Sequence, residues 1–337
     1  MPLRTRIQIV SVPLIFAATL GLFVTATRAQ APNPTAQGQP SQAGPRQGGT
    51  QQGDQQRGAP GPGGRQDRGN EWICPDNSEP NGTHYVLYPT PARGPNTQAS
   101  ALVYLPPDYN TSGSKRYPVL YWLHGGGGSQ LSAMTQISRL DTAIRAGQIP
   151  TFIVVGVQGL PDVRYINSKD GTRPVEDVII KDLIPYIDSH YRTLAQREYR
   201  AIEGFSMGGY GSFRLGFKYP NLFSIVSGLA PSITEFKSEP NIVTEPFGND
   251  PAYYQQVGPA NIVKTNLDAV HGHQTVRLYV GDQDPLLTDL QQFHELLLSV
   301  KIDHQFKIAA GVGHQDDRLV DKLDGIAFWK TAFPGPE

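Results

Sequence analysis

Gly204-Phe205-Ser206-Met207-Gly208-Gly209 is the stretch on which the fold of this chain turns. It satisfies Gly-x-Ser-x-Gly, and its surroundings supply the setting that the pattern needs, a strand before it and a helix after it. The strand signal is Glu198 to Ile202, and the helix signal runs from Met207 to Tyr219. A serine on so sharp a strand-to-helix turn is lifted out of the sheet, and small neighbours keep the strained backbone free of clashes. The helix N-terminus then offers unpaired N–H groups and a partial positive charge where an oxyanion would form. In a chain with 36 glycines the motif alone has a chance origin to compete with; the flanking elements and Gly209 set it apart.

Working upstream, Leu123-His124-Gly125-Gly126-Gly127-Gly128 closes an apolar run from Tyr117. Consecutive glycines let backbone N–H groups approach a substrate carbonyl without interference from side chains. Such a loop is expected upstream of a nucleophile elbow, and its donors here are Gly126 from the loop and Met207 after the serine. A phosphate-binding loop is the rival reading, but neither the Gly-x-x-x-x-Gly-Lys nor the Gly-x-Gly-x-x-Gly spacing is present. Downstream, the elbow calls for an acid and then a histidine in chain order. Asp284, in Gly281-Asp282-Gln283-Asp284, and His314, in Gly311-Val312-Gly313-His314, each follow a strand signal. Asp282 competes with Asp284 for the acid. Of the eight histidines, His294 falls inside a helical pattern and His304 at a strand start, which leaves His314 in a glycine loop and in the right order.

Around these motifs strands and helices alternate. Ala101 to Leu105, Tyr117 to Leu123, Phe152 to Val157, Phe223 to Leu229, Val276 to Val280 and His304 to Ala309 read as strands. Helical spacing marks Ser138 to Arg145, Val175 to His190, Leu286 to Val300 and Asp317 to Thr331. Strands separated by helices imply parallel crossovers, so the expectation is one α/β domain over 71–337, a mostly parallel central sheet with helices on both faces.

The first 70 residues are different in kind. Arg4 and Arg6 precede the apolar stretch Ile7 to Val24, and Thr27-Arg28-Ala29 offers a small-x-small cleavage site, with Ala29-Gln30-Ala31 as a second choice. Residues 1–29 thus read as an export signal, since Ser11, Pro13 and Thr19 interrupt what would otherwise be a membrane anchor. No cysteine lies near the site, which argues against a lipid anchor. Residues 30–70 hold ten Gln, ten Gly and six Pro with no Leu, Ile, Val, Phe, Tyr or Trp, the composition of a solvated tether. The chain as a whole is 38% hydrophobic and 18% charged, which excludes a coiled coil and a wholly disordered protein. Its net charge of −1 averages a basic leader, seven Arg against two Asp in residues 1–70, and an acidic body. Neither nucleic acid nor an anionic membrane surface is the expected partner of such a body.

Other residues carry weaker signals. Cys74 is the single cysteine, so there is no intramolecular disulfide and no cysteine-based zinc site. His271 and His273 form half of a metal pattern, but a hydrophilic loop accounts for them; Asp316 and Asp317 read as helix capping. Neither metal nor cofactor is expected. Tyr165, Tyr253 and Tyr254 fit a sugar or phenolic site and fit core packing equally well.

Arg116 to Gly128, Gly204 to Phe213, Lys218 to Phe223, Asp182 to Ile187 and Ala101 to Tyr109 together resemble the esterase-D/feruloyl-esterase-like branch of the α/β-hydrolases, over roughly residues 85 to 330. The resemblance implies a Ser206–His314–Asp284 triad, because the family acid sits in a Gly-x-x-Asp loop, and an acyl-enzyme mechanism. Gln315-Asp316-Asp317 departs from the aromatic stretch that often follows the histidine in feruloyl esterases. The family includes feruloyl and acetylxylan esterases, siderophore-ester hydrolases, S-formylglutathione hydrolases and mycolyltransferases. Export disfavours the cytosolic thioester members. The expected protein is a periplasmic or extracellular serine esterase acting on carbohydrate-linked acetyl or feruloyl esters. Acyl transfer of the mycolyltransferase type and siderophore-ester hydrolysis are the alternatives. A non-catalytic binding protein is set against the complete residue set, and an oligopeptidase against the lack of a propeller domain.

Overall fold

The computed structural model describes residues 71–80, 82–234 and 245–334. The expected export signal and tether, residues 1–29 and 30–70, lie outside the described residues. Eight strands form one sheet: β1 (Thr83–Pro89), β2 (Gln98–Tyr104), β3 (Val119–Leu123), β4 (Ile153–Val157), β5 (Arg200–Phe205), β6 (Ile225–Leu229), β7 (Thr275–Gly281) and β8 (Gln305–Ala309). Their spatial order is β1-β2-β4-β3-β5-β6-β7-β8. From β4 through β8 all neighbours are parallel; β2 runs antiparallel to both β1 and β4. The sheet is therefore mostly parallel, as the alternation of elements predicts.

Alternate residues of the central strands feed two separate cores, one on each face, because successive side chains of a strand point opposite ways. Val119, Tyr121 and Leu123 of β3, with Val155 and Val157 of β4, join one core; Leu120 and Trp122, with Val154, join the other. Strands covered on both sides need no polar face, which is why β3, β4 and β6 are buried along their whole length.

Helices supply the cover. α1 (Met134–Arg145) places Ile137, Leu140 and Ile144 on one face. The opposite face takes the helical stretch made of α2 (Val175–Asp177), a π-helical segment over Val178–Leu183 and α3 (Ile184–His190). It also takes α4 (Met207–Lys218), through Tyr210, Phe213 and Phe217. The short helices α5 (Pro251–Val257), α6 (Pro259–Thr265) and α7 (Leu267–Val270) precede β7. After it come α8 (Leu287–Ser299), α9 (Asp316–Lys322) and α10 (Trp329–Ala332).

Two of the expected helices are interrupted. Over Val175 to His190 the apolar positions Val178, Ile179, Leu183, Ile184 and Ile187 are all buried as the spacing requires. Pro185, however, has no N–H to offer the carbonyl of Lys181, and the turn ahead of it widens into the π-helical segment. The single helix expected over Asp317 to Thr331 divides into α9 and α10, with Asp324 at φ 51° and the Gly325 N–H donating to Val320 O at 2.8 Å between them.

The core also contains charge. Glu203 of β5 and Arg277 of β7 are fully buried and paired. Glu203 Oε2 accepts from Ser227 Oγ at 2.7 Å, and its Oε1 from Gln136 Nε2 at 2.9 Å. Arg277 donates further to Ser227 Oγ at 2.8 Å and to Gly325 O at 2.7 Å, and its guanidinium lies 4.0 Å from the centre of the Phe328 ring. A pair so desolvated persists because nearly every donor and acceptor around it is used. It ties β5, β6 and β7 to the α9–α10 turn.

Candidate active site

Ser206 stands between β5 and α4 with φ 54° and ψ −114°, a left-handed conformation that a non-glycine residue adopts at a cost of about 1–3 kcal/mol. Its backbone is fixed on both sides: the N–H donates to Leu229 O at 3.0 Å, and the carbonyl accepts from Ser232 N–H at 2.9 Å and Tyr210 N–H at 3.0 Å. The glycines of the motif are required by contact. A Cβ on Gly204 would lie 2.3 Å from the Gly208 carbonyl carbon, and one on Gly208 would lie 1.9 Å from Leu123 O. β5, β3 and the first turn of α4 can therefore approach this closely only without side chains.

Three side chains meet at the carboxyl ends of the parallel strands. His314 Nε2 is 2.9 Å from Ser206 Oγ, and His314 Nδ1 is 2.8 Å from Asp284 Oδ2. The other carboxylate oxygen of Asp284 accepts the Leu286 N–H at 2.9 Å, and the Asp284 side chain is fully buried. His314 packs against the Phe205 ring at 4.6 Å, with a third of its side chain exposed. Asp282 faces elsewhere: its carboxylate accepts the Gly311 N–H at 2.8 Å and its own N–H donates to Ala309 O at 3.0 Å. With the Gln283 N–H donating to Val312 O at 3.0 Å, these bonds lace the loop bearing Asp284 to the loop bearing His314.

The glycine loop comes up beside the serine. A Cβ on Gly125 would stand 3.5 Å from Ser206 Cβ. Gly127 N–H donates to Pro161 O at 3.0 Å and Gly128 N–H to Gly125 O at 3.1 Å; among the described residues the Gly126 N–H has no such acceptor. Met207, the first residue of α4, has no intrahelical acceptor for its N–H either. His124 does not join the serine. Its Nδ1 lies 2.8 Å from Gly125 O and its Nε2 2.9 Å from Gly159 O, with the ring fully buried. Burial lowers its pKa, and a neutral ring has a single N–H to share between the two carbonyls.

The remaining candidates resolve into structure. Tyr165 is core, 1% exposed, with its hydroxyl donating to His124 O at 2.9 Å and its ring lying against Gly159 and Gly211. Tyr254 is buried, Tyr253 half-buried with its hydroxyl on Asn167 O at 3.2 Å. His271 and His273 sit exposed in a turn, and Asp316 and Asp317 open α9. His294 and His304 face each other, Nδ1 to Nε2, at 2.7 Å. Cys74 is buried, its N–H donating to Ser100 Oγ at 2.8 Å.

The Esterase family model, described as "Putative esterase", matches residues 93–334. The chain belongs to this family. Esterase Rv1288 of Mycobacterium tuberculosis (strain ATCC 25618 / H37Rv) is 36% identical over 150 residues, 42% of this chain and 31% of that protein. The endo-1,4-beta-xylanase/feruloyl esterase of Xylanibacter ruminicola is 36% identical over 132 residues, 37% of this chain and 18% of that one. The aligned part thus spans less than a third of either relative. Among solved structures, FphF, a fluorophosphonate-binding serine hydrolase of Staphylococcus aureus, superposes with a TM-score of 0.63 at 18% identity, covering 74% of this chain and 97% of that one. That likeness is one of fold, and the fold is the α/β-hydrolase fold.

Proposed function

We propose that this esterase-family chain is an exported serine carboxylesterase that cleaves carbohydrate-linked acetyl or feruloyl esters through an acyl-enzyme. The observation that carries the reading is the unbroken line of hydrogen bonds from Ser206 through His314 to buried Asp284. A serine hydroxyl is a weak nucleophile until a base takes its proton, and His314 Nε2 is within reach to do so. Asp284 holds the His314 proton on Nδ1, which leaves Nε2 free to accept, and stabilises the imidazolium that results. Attack forms the Ser206 Oγ–acyl carbon bond, and the oxyanion takes the N–H groups of Met207 and Gly126, each donor contributing about 3–4 kcal/mol in such sites. His314 returns the proton to the departing alcohol. Water then enters by the same route, and the partly exposed imidazole is open to it.

Support for the ester class comes from the family, and for a polysaccharide substrate from the name of the xylanase/feruloyl esterase relative. Support for export comes from the sequence pattern of residues 1–29. The test is hydrolysis of p-nitrophenyl acetate, acetylated xylan and methyl ferulate by the wild type and by Ser206→Ala. Loss of the nucleophile should reduce kcat by about 10⁶-fold. Equal rates, or fluorophosphonate labelling at a residue other than Ser206, would overturn the assignment.

A further inference from the structure

Arg164 is a buried cation linked to the candidate site through backbone hydrogen bonds, and the triad does not use it. It is 6% exposed and sits at φ 53°, a left-handed conformation costly for a side chain of its size. Its loop leans on the glycine loop through the Gly127 N–H to Pro161 O bond. From there the side chain crosses to the segment after β6, where one amino group donates to Ser232 O at 2.8 Å. Ser232 is the residue whose N–H holds the Ser206 carbonyl, so the guanidinium is two hydrogen bonds from the nucleophile's backbone. The guanidinium carbon also stands 5.1 Å from the centre of the Tyr210 ring, one turn along α4 from Ser206.

The other buried arginines of the fold have carboxylates: Arg277 pairs with Glu203, Arg214 with Glu176 and Arg200 with Asp188. Among the described residues Arg164 has none. Among the described residues its remaining N–H groups meet no hydrogen-bond acceptor. A guanidinium taken out of water without a counter-charge is costly, and one carbonyl and one ring face offset only part of that cost. The planar fork that is left over matches a carboxylate.

We propose that Arg164 is the carboxylate-recognition residue of this site, and that the preferred ester carries a carboxylate close to the scissile bond. This rests on the esterase reading above and narrows its substrate class. A carboxylate on the acyl side and one on the alcohol side present the same chemistry, and two substrate pairs separate them. The first is p-nitrophenyl hydrogen succinate beside its methyl ester; the second is 4-acetoxybenzoate beside methyl 4-acetoxybenzoate. In the full chain, kcat/KM should favour the acid over its methyl ester in one pair. Arg164→Gln should reduce that preference by about ten- to a hundredfold, the loss of a charge-assisted hydrogen bond, mainly through KM. Arg164→Lys, which keeps the charge without the fork, should restore part of it. A preference absent in both pairs, or unchanged in Arg164→Gln, overturns the proposal. Inhibition of the wild type gives a readout that does not depend on the variants folding: benzoate or succinate should compete with a neutral ester where their methyl esters do not, and equal inhibition counts against Arg164. Hydrolysis of the neutral esters that requires Ser206, with no Arg164-dependent preference, sinks this inference alone; hydrolysis that survives Ser206→Ala sinks the parent reading.

Discussion

Asp284→Asn separates the two acids that the sequence offers and tests how the imidazole is held. The Asp284 carboxylate has two occupants, the Leu286 N–H at 2.9 Å and His314 Nδ1 at 2.8 Å. An asparagine has one acceptor for these two. If Leu286 takes the amide oxygen, the NH2 group faces Nδ1, and the ring must turn its lone pair there and carry its proton on Nε2. That proton then points at Ser206 Oγ, where an acceptor is needed. The wrong tautomer should lower kcat by about 10⁴-fold, as in serine hydrolases generally. At 1.36 kcal/mol per decade this is about 5.4 kcal/mol of transition-state stabilisation. Asp282→Asn is the matched control, because its amide oxygen can still accept the Gly311 N–H. Only one charged acceptor becomes neutral there, and the loss should stay within about threefold. The assay is kcat on a p-nitrophenyl ester for both variants, with thermal melts to verify folding. Retention of a tenth or more of wild-type kcat by Asp284→Asn, or an equal loss in Asp282→Asn, would refute the reasoning.

Two further outcomes follow from charge buried elsewhere. Glu203→Gln keeps the shape of the side chain but removes the counter-charge of buried Arg277, and should cost about 3–5 kcal/mol of stability by urea denaturation; a loss below about 1 kcal/mol would mean that the pair is not desolvated as described. His304, held below the ordinary histidine pKa by burial and by the neighbouring His294, favours its neutral form in the folded chain. Below the unfolded value near 6.5 the unfolded chain takes up a proton that the folded chain resists, so its contribution is present above that pH and lost as pH falls through it. Urea midpoints should fall from neutral pH toward about pH 5, less steeply in His304→Gln; an unchanged slope would assign the acid sensitivity to other groups.

The elements most legible in the sequence are those whose signal is local. β3 and β4 are continuous apolar runs because both faces are covered, and the order of serine, acid and histidine follows from where the parallel strands end. β1 gives no such signal. Thr83–Pro89 is an edge strand with partly exposed residues in its middle, and its antiparallel partner β2 alone makes it a strand. The helices α5 to α7 are short and separated by Gly258 and Asn266, so no periodicity has room to develop. Glu203 sits in β5 between Ile202 and Gly204, and its partner lies 74 residues away; only the folded sheet brings them together. Arg164 stayed hidden for the same reason. Its neighbour Tyr165 has the aromatic side chain that sequence reading favours, yet Tyr165 packs in the core and Arg164 reaches the Ser232 carbonyl beyond β6.

β8 is joined to the sheet along one side only, through β7, and His314 is five residues beyond its end. The proposed base therefore depends on an edge element, and the serine on one with neighbours on both sides. Edge elements open at lower free energy than central ones. Detachment of β8 would withdraw the imidazole while β3, β5 and the strained turn at Ser206 stay intact. Catalytic turnover would then cease at a lower denaturant concentration than the loss of helical signal, and return as the last step of refolding, so that hydrolysis reports closure of the sheet's final seam.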